Sequence, residues 1–116
     1  MKHGVRTRKF GLKKGARRSF LRVLANNLIT REKIVTTEAK AKELRKIVEP
    51  FVTCGKQQTV AALRLLMRRL PKSAAYKMYH DIAPRYKERH GGYTRVIKHS
   101  KPRVHDGSRM ATIEFV

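Results

Sequence analysis

A helical period of apolar residues first appears at about Ala16 and continues to about Leu28. Residues three and four apart lie on the same side of an α-helix. One side of this segment is apolar and carries Phe20, Leu21, Leu24 and Leu28. The opposite side carries polar residues every four positions, namely Arg18, Arg22 and Asn26. The pattern predicts an amphipathic helix that packs with one face and presents the other to solvent or to a charged ligand.

A short β-branched run, Lys33–Thr37, follows and predicts a strand. Thr37 is suited to cap a second helix, since its hydroxyl can accept a hydrogen bond from a free backbone N–H and Glu38 falls in the first turn. We expect this helix to run to about Cys54 or Gly55, with Pro50 producing a kink or starting its last turn. Its apolar stripe consists of Ala41, Leu44, Ile47, Val48, Phe51 and Val52.

Two further helices are predicted by apolar spacing and by proline positions. The first covers Thr59–Leu70 and is expected to stop at Pro71. Its inward residues are predicted to be Leu63, Leu66, Met67 and Leu70. The second covers Ala74–Ala83, with Ser73 as its cap and Pro84 as its end. Its inward residues are predicted to be Ala75, Met78, Tyr79 and Ile82.

In the C-terminal part of the chain, two segments show the alternation of apolar and polar residues that is typical of strands. Tyr93–His99 and Met110–Val116 are predicted strands, joined by a basic hairpin loop at 100–109 and preceded by a turn-forming stretch at 85–92. The order is therefore helix, strand, three helices, two strands. This order favours an α+β fold of two layers, in which helices cover a small three-stranded sheet.

The charge distribution indicates what kind of partner the protein binds. The chain of 116 residues has 29 Lys and Arg against 8 Asp and Glu, a net charge of +21. No acidic residue precedes Glu32, whereas ten Lys and Arg do. Such a run needs external counter-charge, and a phosphate backbone supplies it. We predict an extended basic RNA-binding arm at 1–15 and one domain at 16–116; for the pair Arg68 and Arg69, a solvated surface and a phosphate contact are both left open.

Catalytic and metal sites are not indicated. His99 and His105 lack the Cys pairs of a metal site. Adjacent side chains on a helix diverge, so His80 and Asp81 do not form a catalytic pair, and Cys54 is a lone helical residue. We therefore expect no enzyme activity, no catalytic or metal-ligating residue, no cofactor and no small-molecule substrate.

A membrane-spanning segment and a secretory signal are also not indicated, because no apolar run is long enough. We expect an intracellular protein without a membrane partner. Trp is absent and aromatic residues are few, so phosphate and shape contacts should dominate over base stacking. Tyr86 and Tyr93 flank the basic stretch and are left open as stacking residues or core residues.

Several motifs resemble those of the bacterial large-subunit ribosomal protein seventeen family. They are Ile34-Val35-Thr36-Thr37, Lys40-Ala41-Lys42, Leu44-Arg45, Glu49-Pro50, Phe51-Val52-Thr53 and Gly91-Gly92-Tyr93-Thr94-Arg95. Further matches are Met1-Lys2-His3, Arg18 with Phe20-Leu21-Arg22, Met110-Ala111 and Ile113-Glu114. The chain departs from the family at Arg17, where His is usual, and at Val23, where Asn is usual.

The resemblance implies a structural, RNA-bound protein of the large ribosomal subunit near the exit of the peptide tunnel. It also implies contact with neighbouring ribosomal proteins, protein thirty-two among them, and a cytoplasmic ribosome, with an organellar ribosome left open. The alternative function is a non-ribosomal, architectural nucleic-acid-binding protein. Charge and resemblance together give the candidate RNA-binding residues: Lys2, His3, Arg6, Arg8, Lys9, Lys13, Lys14, Arg17, Arg18, Arg22, Lys40, Arg85, Arg95, Lys98 and Arg103.

Overall fold

The computed structural model describes residues 8–116, and helices and strands follow in the predicted order. The elements are α1 (Lys14–Arg31), β1 (Lys33–Thr37), α2 (Glu38–Gly55), α3 (Val60–Arg69), α4 (Lys72–Lys77), β2 (Thr94–Lys98) and β3 (Met110–Phe115). Helices cover a three-stranded antiparallel sheet, so the predicted α+β class is confirmed. The candidate residues Lys2, His3 and Arg6 lie outside the described residues.

The strand order is β1-β3-β2, which places the C-terminal strand in the centre. Ile113 of β3 is paired with Ile34 on one side and Val96 on the other. Successive side chains of a strand point to opposite faces, and Ala111, Ile113 and Phe115 form the buried face, as their alternation predicts. The strand order could not be predicted, because no local signal selects the central strand.

Helix α2 packs against the sheet and against α1 and α3. Its predicted start is confirmed: the Thr37 hydroxyl accepts a hydrogen bond from the Lys40 backbone N–H at 3.4 Å. The helix continues through Pro50 to Gly55, the end that the sequence predicts. Pro50 is exposed, so water can satisfy the backbone carbonyl that has lost its donor.

Helix α1 is longer than predicted at both ends. It ends at Arg31, and Glu32 takes a left-handed backbone conformation with φ of 63° while its N–H bonds the Leu28 carbonyl. The fully buried positions are Ala25, Leu28 and Ile29, so the packing face lies in the C-terminal half. Asn26, predicted to face outward, borders this face, and its side-chain oxygen is buried without a hydrogen-bond partner among the described residues.

Two predictions for the later helices are wrong. Met67 is 40% exposed, because the buried stripe of α3 passes through Ala62 and Leu66 instead. Ser73 lies inside α4 and Pro71 precedes the helix, where a fixed φ suits a first turn.

Pro84 also fails to end the helical segment. Helix α4 continues as a π-helical turn at Met78–Ile82 and a 3₁₀ turn at Ala83–Tyr86. Pro84 lies at the start of the 3₁₀ turn, where no backbone donor is required. The chain therefore reaches Tyr86 before it turns toward β2.

Candidate nucleic-acid interface

The described candidate residues divide into two groups by whether a carboxylate neutralises them. Five of them form ion pairs within the protein: Arg8 with Glu43, Arg85 with Glu32 and Asp81, Arg95 with Glu114, Lys98 with Glu38, and Arg103 with Asp106. Their charge already has a partner, so they have less to gain from an external anion.

The other seven candidates form no ion pair within residues 8–116: Lys9, Lys13, Lys14, Arg17, Arg18, Arg22 and Lys40. Six of them lie on α1 or in the residues just before it. Lys40 instead lies over the ring of Phe20, with its ammonium 5.3 Å from the ring centroid.

Four cations of α1, namely Lys14, Arg17, Arg18 and Arg22, form what we call the α1 basic face. The helix is held in place by its buried positions, and it contains no acidic residue. Arg18 and Arg22 are exposed and one helical turn apart. The α1 basic face is thus a fixed row of positive charge, and its four cations have no carboxylate partner within residues 8–116.

The residues just before α1 pack against the rest of the fold. Arg8 donates a hydrogen bond to the buried carboxylate of Glu43 at 2.8 Å, and Lys46 reaches the same oxygen at 3.1 Å. The rings of Phe10 and Phe20 meet edge to face at 5.6 Å. These contacts fix the direction in which the chain enters α1.

Arg68 and Arg69 of α3 lie beside the α1 basic face. They line a groove of about 450 Å³ together with Arg18 and Arg22. The sequence left this pair open between a solvated surface and a phosphate contact, since no pattern within α3 shows which helix it adjoins. Only the packing of α1, α2 and α3 brings the four arginines to one opening.

Tyr86 and Tyr93 belong to the core and not to a stacking surface. They are 5% and 3% exposed, with ring centroids 5.3 Å apart. The Tyr86 hydroxyl donates to the Val116 carbonyl at 2.8 Å. Neither ring face is open to a nucleotide base, which decides the alternative that the sequence left open.

Several carboxylates are held in their charged form by the arginines and lysines paired with them. The hydrogen bond from Arg85 is the main cause that lowers the pKa of Glu32 below its usual 4.5, with a further contribution from Lys77. Hydrogen bonds from Lys42 and Arg95 likewise lower the pKa values of Glu38 and Glu114. Because these pKa values are lower in the folded state, the carboxylates stabilise the fold above about pH 4.5, and this contribution is lost as the pH falls through the folded-state values.

We expect R85Q to lower the free energy of unfolding at neutral pH, and we expect this difference to shrink as the pH falls through the lowered pKa of Glu32 and that carboxylate becomes protonated. Arg85 is well exposed, so solvent screening should keep the loss below about 1 kcal/mol. Urea unfolding at several pH values measures this difference. R64Q is the matched control, since Arg64 is exposed and has no ion pair among the described residues; a loss for R85Q that persists unchanged at low pH would contradict the assignment.

Other chemistry finds no support in the described part of the chain. Asp81 bonds Arg85 at 3.0 Å, and His80 lies against the ring of Tyr79 at 4.8 Å, so the two do not pair. No cluster of three metal-ligating side chains occurs within residues 8–116. No helix in that range is both long and apolar enough to cross a membrane.

Comparison with known proteins identifies clear relatives. The family model described as ribosomal protein L17 matches residues 20–116. Large ribosomal subunit protein bL17 of Persephonella marina is 49% identical over 118 residues, covering 100% of this chain and 95% of the relative. Its counterpart in a Sulfurihydrogenibium species is 45% identical over 117 residues, covering 100% and 97%. That of Caldanaerobacter subterraneus is 48% identical over 110 residues, covering 94% and 97%.

Proposed function

The chain belongs to the ribosomal protein L17 family, and from this premise we propose that it binds large-subunit ribosomal RNA through phosphate and shape contacts and stabilises the RNA fold. As a member of that family it is a structural constituent of the large ribosomal subunit, not an enzyme. RNA is the partner that explains the charge, because it offers phosphates at fixed spacing to a rigid row of cations.

The observation that carries this proposal is the α1 basic face. Its arginines and lysine have no carboxylate partner within residues 8–116, whereas seven of the eight acidic residues, Glu32, Glu38, Glu43, Glu49, Asp81, Asp106 and Glu114, form ion pairs elsewhere. Leaving like charges together costs free energy unless an external anion neutralises them. The placement of both signs supports one RNA-facing side.

The arm at 1–15 extends this surface in our proposal. Its first part, with Lys2, His3 and Arg6, precedes the described residues, and its last part lies against the domain, where Arg8 is bonded to Glu43. The arm would run between RNA helices while the α1 basic face contacts phosphates. The domain at 16–116 would hold both in a fixed orientation.

Three finer points rest on the family resemblance: a position near the exit of the peptide tunnel, contact with protein thirty-two, and a cytoplasmic ribosome. A domain that binds RNA through the α1 basic face would leave other surfaces available for protein neighbours.

Sedimentation of cell extracts on a gradient tests the assignment most directly. We expect the tagged chain to co-migrate with large subunits and to stay with them in high salt, because a many-contact interface weakens but persists. A neutral tagged protein of similar size is the control for trapping. Recovery of the chain only in the soluble fractions, or stronger binding to duplex DNA than to ribosomal RNA, would contradict the proposal.

A further inference from the structure

A groove between α1, α2 and α3 combines charge with an apolar surface. We call it the arginine groove and define it by Arg18, Arg22, Arg68, Arg69, Leu21 and Phe51. The four arginines are exposed, whereas Leu21 and Phe51, which also line the groove, are half-buried. Its volume of about 450 Å³ is within the usual range of small-ligand sites, about 300–1,000 Å³.

The charge of the groove requires an anion. None of its four guanidinium groups forms an ion pair within residues 8–116. Two of them come from α1 and two from α3, so packing the helices together brings like charges around one opening. An anionic ligand removes this repulsion, and planar guanidinium groups suit phosphate oxygens.

The apolar side chains that line the groove indicate a ligand that has an apolar part as well as a phosphate. A paired RNA backbone presents sugar and phosphate, which gain little from contact with Leu21 and Phe51. An unpaired base has an apolar face, and such bases stack on aromatic rings and on guanidinium planes. Phe51 supplies a ring of this kind, since it lines the groove and is only partly buried where it packs against the core, whereas Tyr86 and Tyr93 are buried.

We infer that the arginine groove binds one unpaired nucleotide of RNA, with its base against Phe51 and Leu21 and its flanking phosphates between the arginines. This inference rests on the proposed function and adds to it a site for a base. A single site of this kind is compatible with a chain poor in aromatic residues, where stacking does not dominate binding.

The test uses the full chain and two RNA hairpins of equal length, one with a bulged 5-iodouridine and one fully paired. We expect F51L to weaken binding of the bulged hairpin by about tenfold and to leave the paired hairpin within about twofold. F51Y keeps the ring and should bind the bulged hairpin as the parent chain does. Equal binding of the bulged hairpin by F51L and the parent chain would refute the base site.

The double variant R68Q/R69Q tests the two arginines that α3 contributes to the groove. It should weaken the bulged hairpin more than R64Q does, because Arg64 lies on the same helix but does not line the groove. If R68Q or R69Q alone weakens binding of the bulged hairpin no more than R64Q does, Arg68 and Arg69 have no role in the groove. The proposed function fails separately, if R18Q/R22Q leaves binding of both hairpins and of ribosomal RNA unchanged.

A measurement on the parent chain guards against a variant that does not fold. Irradiation should cross-link the bulged iodouridine to the peptide that contains Phe51, as mapped by mass spectrometry. Cross-links confined to other segments contradict the inference. So does displacement of the bulged hairpin by an acidic peptide at lower concentration than by the same RNA unlabelled, since the groove would then be a protein-binding site.

Discussion

Replacing Arg18 and Arg22 together by glutamine should lower the affinity for large-subunit ribosomal RNA by about 100-fold at physiological salt. The estimate assumes one charge-assisted hydrogen bond to a phosphate from each residue, about 1.5 kcal/mol apiece. The slope of log affinity against log salt should also become shallower by about 1.4 to 1.8, because two fewer phosphates are neutralised. Filter binding over a salt series measures both quantities.

The matched control replaces two arginines that already have carboxylate partners. R95Q/R103Q lowers the net charge by two, from +21 to +19, as does R18Q/R22Q. Arg95 is bonded to Glu114 at 2.8 Å, and Arg103 is bonded to Asp106. We expect this control to lose much less affinity; equal losses would mean that net charge, and not the α1 basic face, determines RNA binding.

Replacing Gly55 by alanine should destabilise the fold by about 1–2 kcal/mol. A Cβ atom at this position would lie 2.8 Å from the Cβ of Ala83, which is fixed to the backbone of the 3₁₀ turn and cannot rotate away. The end of α2 and the Ala83–Tyr86 turn would have to move apart, which offsets the gain in helix propensity. Chemical unfolding at neutral pH measures the difference.

The control variant G15A should change the stability in the opposite direction. Gly15 lies in the first turn of α1, and a Cβ there meets no atom within 4 Å, so G15A should stabilise the protein by about 0.5–1 kcal/mol. Adding A83G to G55A should restore part of the lost stability, since it removes the other Cβ atom. A double-mutant cycle without such coupling would show that crowding between these two positions is not the cause.

Local signals predicted most of the secondary structure correctly. The strand Lys33–Thr37 is confirmed to the residue, because a β-branched run ends at a threonine that caps the next helix. Proline positions were less informative: α2 continues through Pro50 as predicted, whereas the helical segment also continues past Pro84, which was expected to end it. A proline is tolerated where its missing donor faces water or falls in a first turn, and the sequence alone does not show which case applies.

The sequence predicted the basic face of α1 but not the ion pairs that neutralise other candidate residues. The basic face of α1 follows from a four-residue period, which is a property of one helix. The ion pairs join residues far apart in the chain, such as Arg85 and Glu32, separated by 53 positions, and Arg8 and Glu43, separated by 35. Charge counting therefore placed Arg8 and Arg85 with Arg18 and Arg22, although the first two have carboxylate partners.

The sequence by itself determined the element order, the α+β class and the basic side of α1, because periodicity and charge are properties of the chain itself. The charge also indicated the phosphate-bearing partner that we propose. Tertiary structure alone decided the strand order, which arginines form ion pairs with carboxylates, and the convergence of α1 and α3 at the arginine groove. The physical reason is that Coulomb and packing energies depend on distances in space, and those distances are set by contacts between segments that are remote in sequence.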